Sequence, residues 1–98
     1  MKMTYKEVLA AVIEVTATAS GRRPTDIHPD DSFVQDLALD SLGLFEVVVD
    51  LEDRFKLQIK DEEVDRLETP ADAAALVISL AQAQRDFDRS DAGTAVKD

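Results

Sequence analysis

The 98-residue chain contains no cysteine. Disulfide bonds, thiolate metal sites and cysteine nucleophiles are therefore excluded, and nothing requires an oxidising compartment. Its three glycines, Gly21, Gly43 and Gly93, lie far apart, so no glycine-rich phosphate loop is present. The single histidine, His28, lies beside Pro29 in a predicted loop, where a histidine is more often solvated than catalytic. We therefore expect a protein that is not an enzyme.

Positive charge is scarce, because 11 basic residues face 21 acidic ones and the formal net charge is -10. Such a field repels nucleic acid and anionic membranes and attracts basic partners. No stretch approaches the ~20 apolar residues of a membrane span, and the first residues lack the apolar core of a signal peptide. The acidic clusters lack the spacing of a calcium-binding loop, so no metal site is predicted. We expect a cytoplasmic monomer that binds neither nucleic acid nor membrane.

Hydrophobic residues form 45% of the chain, which suits one globular domain with a small core. A capping box, Thr4-x-x-Glu7, precedes the first helical periodicity, and Thr69-Pro70 has the form of a helix start. The periodic segments predict four helices, at residues 4–19, 41–55, 61–67 and 70–84. We therefore predict an all-α fold, a small four-helix bundle with three longer helices and one short helix.

A long connection, residues 22–40, joins the first two predicted helices. Structureless loops of this length are uncommon in compact domains and are usually functional. We expect it to pack against the helices through its apolar residues, which are Ile27, Phe33, Val34, Leu37 and Leu39. At the other end of the chain, residues 85–98 lose periodicity and gain charge. The predicted division is a helical domain at residues 1–84 and a charged, disordered tail at residues 85–98.

The second predicted helix begins with Asp40-Ser41-Leu42, where Asp40 has the form of an N-cap. On a helical wheel its core face carries Leu44, Val47, Val48, Leu51 and Phe55. Its opposite face should be solvated, yet it carries aliphatic residues among acids: Leu42, Glu46, Val49 and Asp53, with Phe45 at its edge. An apolar pair ringed by carboxylates beside a helix-start serine fits a docking surface.

The run Leu37-Ala38-Leu39-Asp40-Ser41-Leu42, followed by an acidic helix, resembles the attachment site of acyl carrier proteins. The resemblance covers residues 3–82 as an ordered pattern of helix, long loop, Asp-Ser-Leu, acidic helix, short helix and final helix. It implies that a phosphopantetheinyl transferase moves a 4'-phosphopantetheine arm from coenzyme A onto Ser41. Acyl groups of fatty-acid or polyketide synthesis would then be carried as thioesters. The chain departs from the family at Ala38 and Leu39, where a glycine is frequent, and Gly43 lies within the first helical turn.

For such a carrier, the charges and helix-face positions of the residues predict two sets of contact residues. Acyl-loading enzymes, a ketosynthase and the transferase would dock basic patches on Asp40, Leu42, Glu46, Val49, Asp50, Glu52 and Asp53. An acyl chain would be sheltered among residues near Ser41, for which the candidates are Leu44, Phe45, Val48, Ile59 and Leu67.

Two other functions remain open from the residues alone. One is a carrier for aminoacyl or peptidyl groups, or for D-alanine. The other, from a different class, is an unmodified helical interaction module that uses the face of Leu42 and Val49, with Ser41 merely starting a helix. Covalent loading from coenzyme A separates the last function from the carriers.

Overall fold

The computed structural model describes the backbone of residues 4–97 and the side chains of residues 4–84. The elements in this range are helical: α1 (Tyr5–Ser20), a 3₁₀ turn (Pro24–Asp26), α2 (Ser41–Phe55), α3 (Asp61–Val64) and α4 (Pro70–Lys97). The predicted all-α, four-helix fold is confirmed. Among the helices of the described range, none combines the length and the apolarity that a membrane crossing requires.

Helix α1 lies within one residue of its predicted bounds at each end, and it has the predicted capping box and glycine stop. The Thr4 N–H donates to Glu7 Oε1 at 3.0 Å, and the Glu7 N–H donates to Thr4 Oγ1 at 3.2 Å. This reciprocal capping box satisfies two N–H groups that have no intrahelical acceptor. At the other end Gly21 takes the left-handed conformation, with φ 71°, and its N–H donates to the Ala17 carbonyl. A glycine adopts that conformation without steric cost.

The hydrophobic core lies where α1 packs against α2 and α4. The fully buried side chains of these helices include Val8 and Val12 of α1, Val47 and Leu51 of α2, and Val77 of α4. The predicted core face of α2 is confirmed, since Val48 is also buried while Leu44 and Phe55 are half-buried against the cluster. Burying such aliphatic side chains supplies the main stabilising term for a chain of this size.

The long loop packs onto the helices, as expected. Phe33 is fully buried, and its N–H donates to the Glu68 carbonyl at 2.9 Å. The Ala71 N–H donates to the Pro29 carbonyl at 3.0 Å, which fixes the loop to the start of α4. Ile27, Leu37 and Leu39 are buried with Phe33, but the prediction is wrong for Val34, which is 64% exposed. Val34 and Phe33 are neighbours in a turn, so burying one side chain directs the other outward.

The third helix is shorter than predicted and ends at Val64 rather than Leu67. After Val64 the backbone forms a tighter turn. The Arg66 N–H donates to the Glu63 carbonyl, and the Leu67 N–H donates to the Val64 carbonyl. These three-residue hydrogen bonds replace the four-residue pattern of an α-helix. Leu67 is consequently turned into the core, where it is 7% exposed.

The fourth helix starts as predicted, since the Asp72 N–H donates to Thr69 Oγ1 at 3.1 Å. It continues to Lys97, past the predicted end near residue 84. Residues 85–97 contain no proline and a single glycine, so nothing in their composition forbids helix. The division of the chain into a domain at residues 1–84 and a tail stays a prediction.

Ala38 has a left-handed backbone, with φ 56°, in the approach to α2. This conformation costs a residue with a Cβ about 1–2 kcal/mol. Ala38 is one of the two positions at which the resemblance leads us to expect a glycine, a residue that takes this conformation without that cost. The side chain of Ala38 is exposed, so its removal loses no packing.

Ala38→Gly should therefore raise stability, because released strain outweighs the extra freedom of glycine in the unfolded chain by about 0.5–1 kcal/mol. Thermal unfolding should show a midpoint a few degrees higher. Gln35→Gly is the matched control, since Gln35 is exposed in the same loop and has no left-handed strain to release. That control should lower the midpoint, and a lower midpoint for Ala38→Gly as well would refute the strain at Ala38.

Candidate functional site

Ser41 is the first residue of α2, and its side chain is exposed. Asp40 caps the helix, as predicted, because its Oδ1 accepts the Gly43 N–H at 2.8 Å. The N–H groups of Ser41 and Leu42 have no intrahelical acceptor, and they lie at the positive end of the helix dipole. An accessible hydroxyl beside such N–H groups fits a phosphodiester attached to Ser41 Oγ.

Gly43 allows the first turn of α2 to lie close to the preceding loop. A Cβ at this position would lie 2.9 Å from Leu39 Cδ2 and 3.4 Å from Asp40 Oδ1. Leu39 is 6% exposed, so its side chain fills the space that a larger residue would need. The sequence alone leaves the role of Gly43 open, and the structure assigns it to packing against Leu39.

A cavity of about 330 Å³ opens beside Ser41, between α2 and α3. Four of the five predicted pocket residues line it: Leu44, Phe45, Val48 and Ile59. The fifth, Leu67, lines a separate cavity with residues of α4, because α3 ends early and turns Leu67 away. Val64 lines the cavity instead of Leu67. Sequence reasoning did not include Val64 among the pocket residues, although it lies on the predicted α3. The cavity wall is completed by three carboxylates, those of Glu52, Asp61 and Asp65.

Glu52 is placed differently from the other predicted docking residues. Its side chain is half-buried, and Oε2 accepts the Ile59 N–H at 2.8 Å. Its backbone carbonyl accepts the Leu57 N–H at 3.2 Å. Glu52 thus fastens the loop between α2 and α3 and faces the cavity, so it does not belong to the exposed face of α2.

Glu52→Ala should destabilise the fold by about 1–3 kcal/mol, because it leaves the half-buried Ile59 N–H without its acceptor. Glu52→Gln retains a carbonyl oxygen that can accept the same hydrogen bond, so its loss should be clearly smaller. Asp50→Ala is the control, because Asp50 is an exposed carboxylate of the same helix. Its removal should change the free energy of unfolding by only a few tenths of a kcal/mol. Urea unfolding measures all three variants, together with hydrogen exchange at the Ile59 amide. Equal losses for alanine and glutamine would contradict the assigned hydrogen bond.

The remaining predicted docking residues lie on the exposed face of α2. Leu42, Phe45 and Val49 are 67%, 61% and 43% exposed, which is unusual for three large apolar side chains on one helix. Glu46, Asp50 and Asp53 are exposed on the same helix, and Asp40 is exposed at its cap. These residues form a continuous apolar and acidic surface, called here the α2 docking face: Asp40, Leu42, Phe45, Glu46, Val49, Asp50 and Asp53.

A second groove, of about 400 Å³, runs between α1 and α2. Thr18 and Ala19 of α1 form one wall, and Phe45, Glu46, Val49 and Asp50 of α2 form the other. Phe45 therefore lines both this groove and the cavity beside Ser41. Across the residues described, no group of three or more His, Asp or Glu side chains is arranged to hold a metal ion.

The fold and this site together define a class: a small helical protein with an exposed serine at a helix N-terminus, beside a cavity. The family model described as phosphopantetheine attachment site matches residues 10–77, a range that contains Ser41. The meromycolate extension acyl carrier protein of Mycobacterium tuberculosis is 36% identical over 80 residues, which cover 82% of this chain and 70% of that protein. The acyl carrier protein of Exiguobacterium sibiricum is 37% identical over 75 residues, which cover 76% of this chain and 95% of that protein.

The fold is also shared with a solved relative. The structure of the acyl carrier protein from Enterococcus faecalis superposes with a TM-score of 0.67 and 29% identity, covering 80% of this chain and 99% of that one. The chain belongs to the phosphopantetheine-dependent acyl carrier proteins. It carries acyl groups on a covalent 4'-phosphopantetheine arm, which confirms the family and the cofactor that the sequence predicts.

Proposed function

We propose that Ser41 is the residue that holds the 4'-phosphopantetheine arm, and that the chain carries acyl intermediates without catalysing their chemistry itself. The observation that supports this proposal best is the exposed hydroxyl at the first position of α2, within the matched residues 10–77. The pathway would be fatty-acid or polyketide synthesis in the cytoplasm.

Attachment requires a phosphopantetheinyl transferase with coenzyme A as donor. A bond forms between Ser41 Oγ and the phosphorus next to pantetheine, the pyrophosphate bond of coenzyme A breaks, and adenosine 3',5'-bisphosphate leaves. The hydroxyl proton passes to a base of the transferase. Asp40 supports this step by holding the Gly43 N–H, which keeps the first turn of α2 formed and Ser41 at its surface.

The cavity beside Ser41 is proposed to shelter the acyl chain. When bound, the arm supplies a terminal thiol on which acyl groups form thioesters, a group that a chain without cysteine cannot supply. Leu44, Val48, Ile59 and Val64 offer apolar walls within reach of the attachment residue. Burial of each methylene contributes ~0.8 kcal/mol, so a bound chain also stabilises the fold.

The α2 docking face is proposed to bind the partner enzymes, including the transferase, acyl-loading enzymes and a ketosynthase. Its carboxylates and the net charge of -10 suit partners with Arg and Lys patches. Its exposed apolar residues supply the contact area that holds a complex together once it has formed. Glu52 is left out of this face, because its carboxylate is bound to the loop backbone.

Intact mass spectrometry tests the function directly. Incubation with coenzyme A and a broad-specificity transferase should raise the mass of the protein by one 4'-phosphopantetheine group. The same reaction with acyl-coenzyme A should add the acylated arm, and hydroxylamine should then release the acyl group from its thioester. An unmodified interaction module would show no mass increase, which would overturn the proposal.

A further inference from the structure

The cavity beside Ser41 combines apolar walls with negative charge. Glu52, Asp61 and Asp65 line it, and no lining residue is basic. None of these three carboxylates forms an ion pair within the described side chains, where the acidic partners of Arg and Lys are Glu14, Asp26 and Asp53. Within the described side chains, no salt bridge therefore offsets the negative charge at this cavity.

The three carboxylates occupy different depths. Asp61 and Asp65, at the two ends of α3, are exposed and lie at the rim. Glu52 is half-buried, and one of its oxygens accepts the Ile59 N–H while the other remains available. A chain that enters the cavity from Ser41 therefore passes both the exposed carboxylates at the rim and the half-buried carboxylate of Glu52.

Entry of a neutral aliphatic chain is favoured by burial against the apolar walls, and the chain carries no charge that the carboxylates could repel. An ionised carboxylate at the end of a chain would lose hydration and meet three like charges, with no basic group among the lining residues to compensate. The two kinds of chain therefore differ in their free energy of entry, although their length and attachment are the same.

We propose that Asp61, Asp65 and Glu52 make the cavity selective for the charge at the distal end of the cargo. Neutral apolar acyl chains enter it, whereas chains of the same length that end in a carboxylate stay in solvent, accessible to partner enzymes. This inference rests on the proposed roles of Ser41 as attachment residue and of the cavity as the shelter of the chain.

Three cargoes of matched length provide the test, each loaded on the full chain from its coenzyme A thioester. They are octanoyl, the monothioester of the eight-carbon dicarboxylic acid, and the methyl ester of that dicarboxylic chain. Nuclear magnetic resonance then compares the methyl signals of Val48, Ile59 and Val64 with those of the arm-only protein. Octanoyl and the methyl ester should shift these signals, and the carboxylate chain should leave them at their arm-only positions.

Charge removal identifies the residues responsible. In Asp61→Asn with Asp65→Asn, the carboxylate chain should shift the three signals in the direction that octanoyl does. Glu62→Gln is the matched control, since Glu62 is an exposed acid of α3 that does not line the cavity, and it should leave the exclusion intact. Raising the salt concentration to ~1 M shortens the screening length to ~3 Å and should weaken exclusion at the exposed rim.

The outcomes separate this inference from the function on which it rests. Equal shifts for octanoyl and the carboxylate chain in the unaltered protein would overturn the charge selectivity and leave the shelter in place. Persistent exclusion in the double variant would overturn the assignment to Asp61 and Asp65. Absence of shifts with octanoyl would overturn the shelter itself, and absence of any mass increase would overturn the attachment.

Discussion

Ser41→Ala should abolish the mass increase that coenzyme A and a transferase produce in the unaltered protein. The substitution removes the exposed hydroxyl at the start of α2, and with it the oxygen that would form the phosphodiester. Alanine is a good helix former and Asp40 still caps the helix, so the fold should be kept. Intact mass spectrometry measures the loss, and circular dichroism measures the helical content of the same sample.

Ser79→Ala is the matched control for this variant. Ser79 is an exposed serine within α4, and its substitution should leave the mass increase complete. Fragmentation of the loaded protein should then locate the arm on Ser41. An arm recovered on any other serine, or a mass increase that survives Ser41→Ala, would show that the attachment residue is wrongly assigned.

Reversing two charges of the α2 docking face should slow association with the transferase by about tenfold or more. The double variant is Glu46→Lys with Asp53→Lys, and both side chains are exposed. Long-range attraction steers the encounter, so its removal also flattens the dependence of the association rate on salt. Stopped-flow or surface-binding kinetics at low and high ionic strength measures both effects.

Two further variants give this prediction its specificity. Glu62→Lys with Glu68→Lys makes the same change in net charge outside the face, and it should slow association much less. Leu42→Ala removes apolar contact rather than charge, so it should speed dissociation and leave the association rate nearly unchanged. If the reversals at Glu46 and Asp53 leave transferase kinetics unaltered at low salt, recognition would have to be sought elsewhere, starting with the loop at residues 30–36.

Local signals in the sequence predicted most of the fold. The capping box of Thr4 and Glu7, the N-cap Asp40 and the Thr69-Pro70 start each depend on neighbouring residues, and the structure has all three. The core face of α2 follows from the helical spacing of its apolar residues, and the same residues pack into or against the core in the structure. Such features need no knowledge of distant contacts, which is why sequence reasoning finds them.

The errors concern places where tertiary contacts decide. Leu67 was expected near Ser41, but α3 ends at Val64 and the following turn sends Leu67 into the core. Glu52 was assigned to the docking face from its charge, yet it accepts the Ile59 N–H seven residues further on. The left-handed backbone of Ala38 leaves no mark on composition or periodicity, and only the departure from the family's glycine hinted at it.

Phe45 joins two regions that are otherwise separate, because one face of its position borders the cavity beside Ser41 and the other borders the groove between α1 and α2. If the α2 docking face binds a partner and the cavity holds cargo, as proposed, both would contact this one ring. Binding at the two regions is then thermodynamically linked, and whatever factor the cargo applies to partner affinity, the partner applies equally to cargo retention.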